Sequence, residues 1–219
     1  HLPPDVLTVS LSGENCTWAS GLYYGDASGG EFSSIQSIRR CGCAVVQTDS
    51  TGSLIYGASF NLPGTVQTVP RAELYALVFL INQVQPLSEI VYVTDNQGVF
   101  KTFNAGPQAG CKSINCDLYK KIFHTTIEKA IRLKVRWMPS HRSEDDELPA
   151  GVTSADIRSN EHADKLAGEA ANRAAVPLAV SSPVLIYRNL AKNIQHRLAT
   201  ILLSLPAREK SKPVSKSPV

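Results

Sequence analysis

The sequence predicts an α/β fold: a five-stranded mixed sheet with its first three strands antiparallel, flanked by helices, plus a C-terminal amphipathic helix. Three observations predict it. Three strand-like runs follow one another through short links before residue 69. Beyond it, apolar runs of strand length alternate with stripes of helical period. The hydrophobic share, 43% of 219 residues, is enough for a real core, and the charged share of 19% is too low for a chain disordered throughout.

The elements follow in order. Residues 1–18 read as an irregular extension. "LYYGDAS" and "CAVVQTD" read as strands on either side of the loop "GGEFSSIQSIRR", and "SLIYGASFNL" is a third, with Thr51-Gly52 as the turn before it. "VPRAELYALVFLINQV" reads as a helix, with Pro70 in its first turn and residues 74, 77, 78, 81 and 84 on one apolar stripe. Ile90–Val93 is a buried strand, and a short helix over about Gln97–Phe103 follows, broken at "NAGPQAG". "CDLYKKIFHTTIEKAIR" is the next helix, and "LKVRWMP" the fifth strand. The polar stretch "SHRSEDDELPAGVTSADIRS" reads as a loop before the Ala-rich helix that starts at Asn160. These elements make one domain over 19–176. In the segment 177–205, Ser182 is the expected N-cap and Pro183 the first helical residue, with Leu190, Ile194, Leu198 and Ile201 at helical spacing. Residues 206–219 read as a basic disordered tail: Arg208, Lys210, Lys212 and Lys216 stand against Glu209 alone, which accounts for the formal charge of +3 and leaves the body near neutral.

Bulk features exclude some classes. No window of 18 apolar residues exists, so a membrane-spanning helix is not expected. The start, "HLPPDVLTVS", has neither Met nor a signal-peptide pattern, so we expect a segment of a longer polypeptide or a truncated product, in the nucleus or cytoplasm rather than secreted. The five cysteines are read as reduced thiols. Cys111 and Cys116 have the spacing of half a zinc site, but no second pair accompanies them.

Four carboxylates sit where a carboxylate is costly. Asp26 interrupts an apolar strand. Glu73 stands at the end of an apolar helical surface, and Arg71, two residues away, does not share its face. Asp95 ends a buried strand inside the turn-like cluster Asn96-Gln97-Gly98. Asp164 lies within the last helix, next to the small Ala167 and Gly168. Each alone reads as structural. In this element order they can meet beyond the carboxyl ends of neighbouring strands, where like charges converge only with divalent cations such as Mg²⁺ or Mn²⁺.

"GDASGG", "PRAELYAL", "VTDNQGV" and "SNEHADKLAG", in that order, resemble the motifs of the ribonuclease H family over about residues 20–175. Within it, the domains attached to retroelement reverse transcriptases look most similar. The resemblance implies an RNase H-like fold and an endonuclease that cuts the RNA strand of RNA–DNA hybrids. It implies that Asp26, Glu73, Asp95 and Asp164 hold two Mg²⁺ ions (Mn²⁺ is a plausible substitute), with Asp26 bridging both. His141 in "MPSHRS" matches the histidine that assists proton transfer or product release. Ser28 and Gly29 match the loop at the RNA sugar, Gln97 a minor-groove contact, and Asn160 a residue near the scissile strand, although Asn160 also suits a helix N-cap. A reverse transcriptase domain upstream in the same polypeptide is an expected partner. Thr68 and Pro70 stand where the family often carries hybrid-gripping Asn, and "NAGPQAGCKSIN" carries only Lys112. Affinity is thus expected to draw on another domain or on the basic tail. The rival readings are an inactive connection module, which has no reason to keep four carboxylates, and an integrase-like transferase, whose pattern lacks the helical Glu and the "NEHAD" ending.

Overall fold

A computed structural model of the chain describes residues 6–10, 17–140 and 148–206. It separates into two compact units, His1–Val176 and Pro177–Val219.

The first unit is built on a six-stranded sheet. Its strands are β1 (Leu7–Ser10), β2 (Gly21–Ser28), β3 (Gly42–Thr48), β4 (Leu54–Asn61), β5 (Glu89–Thr94) and β6 (Arg132–Trp137). The spatial order is β1-β4-β3-β2-β5-β6. β2, β3 and β4 form the expected antiparallel meander, while β5 and β6 run parallel to β2. The sixth strand corrects the reading of residues 1–18 as irregular: Leu7–Ser10 pairs antiparallel with β4, Leu7 opposite Ser59. A four-residue edge strand is specified by its partner's open edge rather than by its own alternation.

The helices are α1 (Val69–Gln83), α2 (Gln97–Asn104), α3 (Pro107–Lys112), α4 (Cys116–Glu128) and α5 (Ser154–Arg173). They divide between the two faces of the sheet. α1 lies over β2 and β3 and carries α4 on its back, while α5 covers β2, β3 and β4. Alternation along the strands feeds both sides. Tyr23, Val45, Phe60 and Tyr92 join Leu74, Leu77 and Ile81 of α1 in the larger core. Tyr24, Val46 and Val93 meet Ile157, Ala163 and Leu166 of α5 in the smaller. Phe60 and Phe79 stack with ring centres 4.2 Å apart. "NAGPQAG", expected only as a break, holds the short α3, whose Pro107 needs no N–H at a helix start.

α5 begins six residues before the expected Asn160. Thr153 and Asp156 form a reciprocal capping box at its start. Asp156 is buried and also accepts from the Tyr24 hydroxyl at 2.7 Å and from both terminal nitrogens of Arg136. Burial pushes its carboxyl up, but these donors together hold it below the usual range. Asn160 is therefore inside the helix, not its cap.

α5 sits directly on the sheet at Gly42. A Cβ there would lie 2.2 Å from both the Ala167 carbonyl oxygen and the Ala171 nitrogen, so only hydrogen fits. We expect Gly42→Val to lower stability by about 3 kcal/mol or more, read as a drop in the urea midpoint, because backbone cannot move aside as a side chain can.

Among its described residues the second unit holds one helix, α6 (Leu178–Ser204), of 27 residues. It starts four residues before the expected Ser182 cap, and Pro183 lies inside it instead of opening it. No single described helix is long and apolar enough to cross a membrane.

Candidate active site

β2 and β5 run parallel with Tyr24 opposite Val93, so continuing the register two residues brings Asp26 level with Asp95. Both lie at carboxyl ends of adjacent strands, where α/β sheets bind ligands. Glu73, in the second turn of α1, comes down on the same spot from above β2. One carboxylate oxygen from each of Asp26, Glu73 and Asp95 lies within 4.8 Å of the others. It is the one such cluster of three or more His, Cys, Asp or Glu ligands among the described residues, so Cys111 and Cys116 belong to none.

Local structure holds each vertex. Asp26 accepts from the Ala27 N–H at 2.6 Å. The Trp137 indole N–H donates to the Asp95 carbonyl oxygen at 3.0 Å, tying the end of β6 to the end of β5. Asn96 caps α2 by accepting from the Val99 N–H at 3.0 Å, which explains the polar cluster after the strand. Arg71 pairs with Asp117 of α4 and is not the partner of Glu73.

The cluster is charge-frustrated. Burial first, and the Asp95 charge second, push the Asp26 carboxyl from 3.8 up to about 7. Burial, then the charges of Asp26 and Asp95, hold the Glu73 carboxyl well above the ordinary range. Glu73 is 4% exposed, and its Oε2 is buried with no hydrogen-bond partner among the described residues. Hard oxygens in a buried, mutually repelling set fit a hard divalent cation, which would relieve the burial cost and the repulsion together.

A pH dependence follows for the metal-free chain. Asp26 is raised on folding, so the folded state binds more protons than the unfolded chain between about pH 4 and 7, and stability falls as pH rises through that window. Asp156 is lowered, so its contribution is lost as pH falls through its folded value. We expect metal-free Tm to decline between pH 5 and 8, and Asp26→Asn to raise Tm at pH 8 by roughly 5–10 °C. Differential scanning calorimetry in chelator checks both.

The other expected residues are placed as follows. Asp164 is exposed on α5 and outside the three-carboxylate cluster, although its charge contributes to raising Asp26. With α5 starting at Ser154, it lies in the third turn rather than the second. Ser28 ends β2 and accepts from the Gly30 N–H at 3.2 Å, and Gly29 beside it is buried. Gln97 is exposed at the start of α2 and accepts from Lys101 Nζ at 2.9 Å. Asn160 is half-buried, its Oδ1 without a hydrogen-bond partner among the described residues. His141 lies outside the described residues. Sequence reasoning reads Tyr92 as core, because an apolar strand pattern absorbs a tyrosine; its buried hydroxyl lies against Gly25, the residue before Asp26.

No family model matches the chain, and no curated protein matches it. Solved structures do. The ribonuclease H domain of prototype foamy virus superposes at a TM-score of 0.51 with 17% identity, over 70% of this chain and 94% of that domain. The chain has the ribonuclease H fold. The N-terminal ribonuclease H domain of a Mycobacterium tuberculosis protein, solved as a fusion, matches at 0.47 and 17% identity over 71% of this chain and 96% of its own. Ribonuclease H1 of Halobacterium salinarum matches at 0.45 and 17% identity, over 69% and 97%. On this fold the three carboxylates occupy the carboxyl ends of the two central parallel strands and the helix above them.

Proposed function

We propose that the chain is a divalent-metal-dependent ribonuclease H, hydrolysing the RNA strand of RNA–DNA hybrids to leave 5′ phosphates. The observation that supports this most is the convergence of Asp26, Glu73 and Asp95 within 4.8 Å on the ribonuclease H fold. Asp26, Glu73 and Asp95, with Asp164 approaching from α5, are the residues that would hold Mg²⁺ or Mn²⁺. When bound there, such ions supply Lewis-acid stabilisation of the reacting phosphate and a water activated near neutral pH.

The chain's own residues bind and orient. Ser28 and Gly29 at the end of β2 sit beside Asp26, where a 2′-OH would mark the RNA strand. Gln97 offers its amide at the start of α2, beside Asp95, to the minor groove. Asn160 offers its amide one helical turn before Asp164. His141 has the chemistry to carry a proton to or from the departing product. Hybrid affinity draws further on a neighbouring domain, for which a reverse transcriptase in the same polypeptide is the proposed candidate, and on Lys and Arg contacts to phosphate.

The test is cleavage in Mg²⁺ of an RNA–DNA hybrid, duplex RNA and duplex DNA of one sequence. Only the RNA strand of the hybrid is expected to be cut. Equal cutting of duplex RNA, or cutting of either DNA strand, overturns the assignment.

A further inference from the structure

A buried hydroxyl lies against the strand that carries Asp26. Tyr92, on β5 three residues before Asp95, is 0% exposed, and its hydroxyl has no hydrogen-bond partner among the described residues. Its position is specific. A Cβ placed on Gly25, the residue before Asp26, would lie 1.9 Å from the Tyr92 hydroxyl oxygen and 2.5 Å from Cζ. The phenol tip therefore fills the space that a side chain at position 25 would take, against the β2 backbone that presents Asp26. A glycine at 25 and a tyrosine at 92 are complementary, and a β strand otherwise gains nothing from glycine there.

Glu73 supplies the matching deficit. Its Oε2 is a buried acceptor without a donor, at the same carboxylate cluster and on the same face of the sheet as Tyr92. After burial itself, the charges that act most on the phenol are those of Glu73 and then Asp26. A buried O–H and a buried carboxylate oxygen each left unpaired are costly, and joining them removes both costs. A carboxylate that gives one oxygen to a cation needs its other oxygen held from the protein side.

We propose that Tyr92 is a positioning residue for the metal centre: its phenol O–H donates to Glu73 through one bridging water and fixes the carboxylate that faces the cation. This rests on the metal-site reading above. Cys43, also fully buried and acted on by Glu73 and Asp26, lines the same floor, but its S–H is too weak a donor to take this role.

The experiment compares Tyr92→Phe with Tyr23→Phe. Tyr23 is an equally buried tyrosine on β2 whose hydroxyl donates to the Ala19 carbonyl at 2.7 Å and meets the Tyr56 hydroxyl at 3.0 Å. Calorimetric titration of Mg²⁺ into the whole chain is expected to show binding about tenfold weaker for Tyr92→Phe, with metal-free Tm unchanged or higher. Tyr23→Phe is expected to lower Tm and leave Mg²⁺ affinity unchanged. Half-saturating Mg²⁺ for cleavage should rise in Tyr92→Phe, and the rate at saturating Mg²⁺ should return to wild type. Wild-type Mg²⁺ affinity in Tyr92→Phe, or equal weakening in Tyr23→Phe, overturns the proposal while the metal site stands. Absence of Mg²⁺ binding by the wild-type chain overturns both.

Discussion

Asp95→Asn should abolish hybrid cleavage, lowering the rate roughly 10³-fold, while the folded chain keeps its Tm or gains stability. The substitution preserves shape and the backbone carbonyl that accepts from Trp137, and removes one of the three carboxylates gathered within 4.8 Å. A ligand to a Lewis-acid site contributes several kcal/mol to transition-state charge stabilisation, and each 1.36 kcal/mol is tenfold in rate. Loss of that charge also relieves Asp26 and Glu73, whose carboxyls Asp95 helps to push up. Activity and stability are thus expected to move in opposite directions, which misfolding cannot imitate. Single-turnover cleavage and calorimetry on one preparation check both; loss of activity with an equal loss of Tm would remove the catalytic interpretation.

Asp156→Ala should lower stability by about 3–5 kcal/mol. The carboxylate is 3% exposed and collects Tyr24, Arg136, and the N–H and hydroxyl of Thr153. Its removal leaves the Arg136 guanidinium half-buried without its counter-charge and removes the reciprocal half of the capping box, in which the Thr153 N–H and hydroxyl donate to this carboxylate. Urea unfolding is the measurement. Adding Arg136→Met should recover more than 1 kcal/mol, because an apolar side chain tolerates the vacated site better than an unpaired cation. A cost below 1 kcal/mol for Asp156→Ala alone would show that α5 does not depend on this anchor.

The sequence exposed what periodicity can expose. β2 to β5 and α1 were legible because alternation and helical stripes coincide there with turn residues. β1 was not, since four residues carry no period. The start of α5 was legible in principle: Thr153 and Asp156 have capping-box spacing, but the polar, Pro- and Gly-containing stretch around them reads as loop. Pro183 misled in the other direction, because proline favours a first turn and here follows one already formed. At the site, Asp26, Glu73 and Asp95 could be picked out because each is a carboxylate in an apolar context. Asp164 is grouped with them by its place within the last helix beside the small Ala167 and Gly168, and the structure leaves it exposed and outside the cluster. Tyr92 gave no signal, because its role depends on the absence of a side chain at Gly25 on a different strand.

The most direct test of the account is end-group analysis of products from an RNA–DNA hybrid, labelled in both strands and incubated with the wild-type chain in Mg²⁺. RNA fragments with 5′-phosphate and 3′-hydroxyl ends and an intact DNA strand are expected. RNA fragments ending in 2′,3′-cyclic phosphate, which require attack by the RNA's own 2′-OH, would contradict it, as would an uncut hybrid in the presence of folded, Mg²⁺-bound protein.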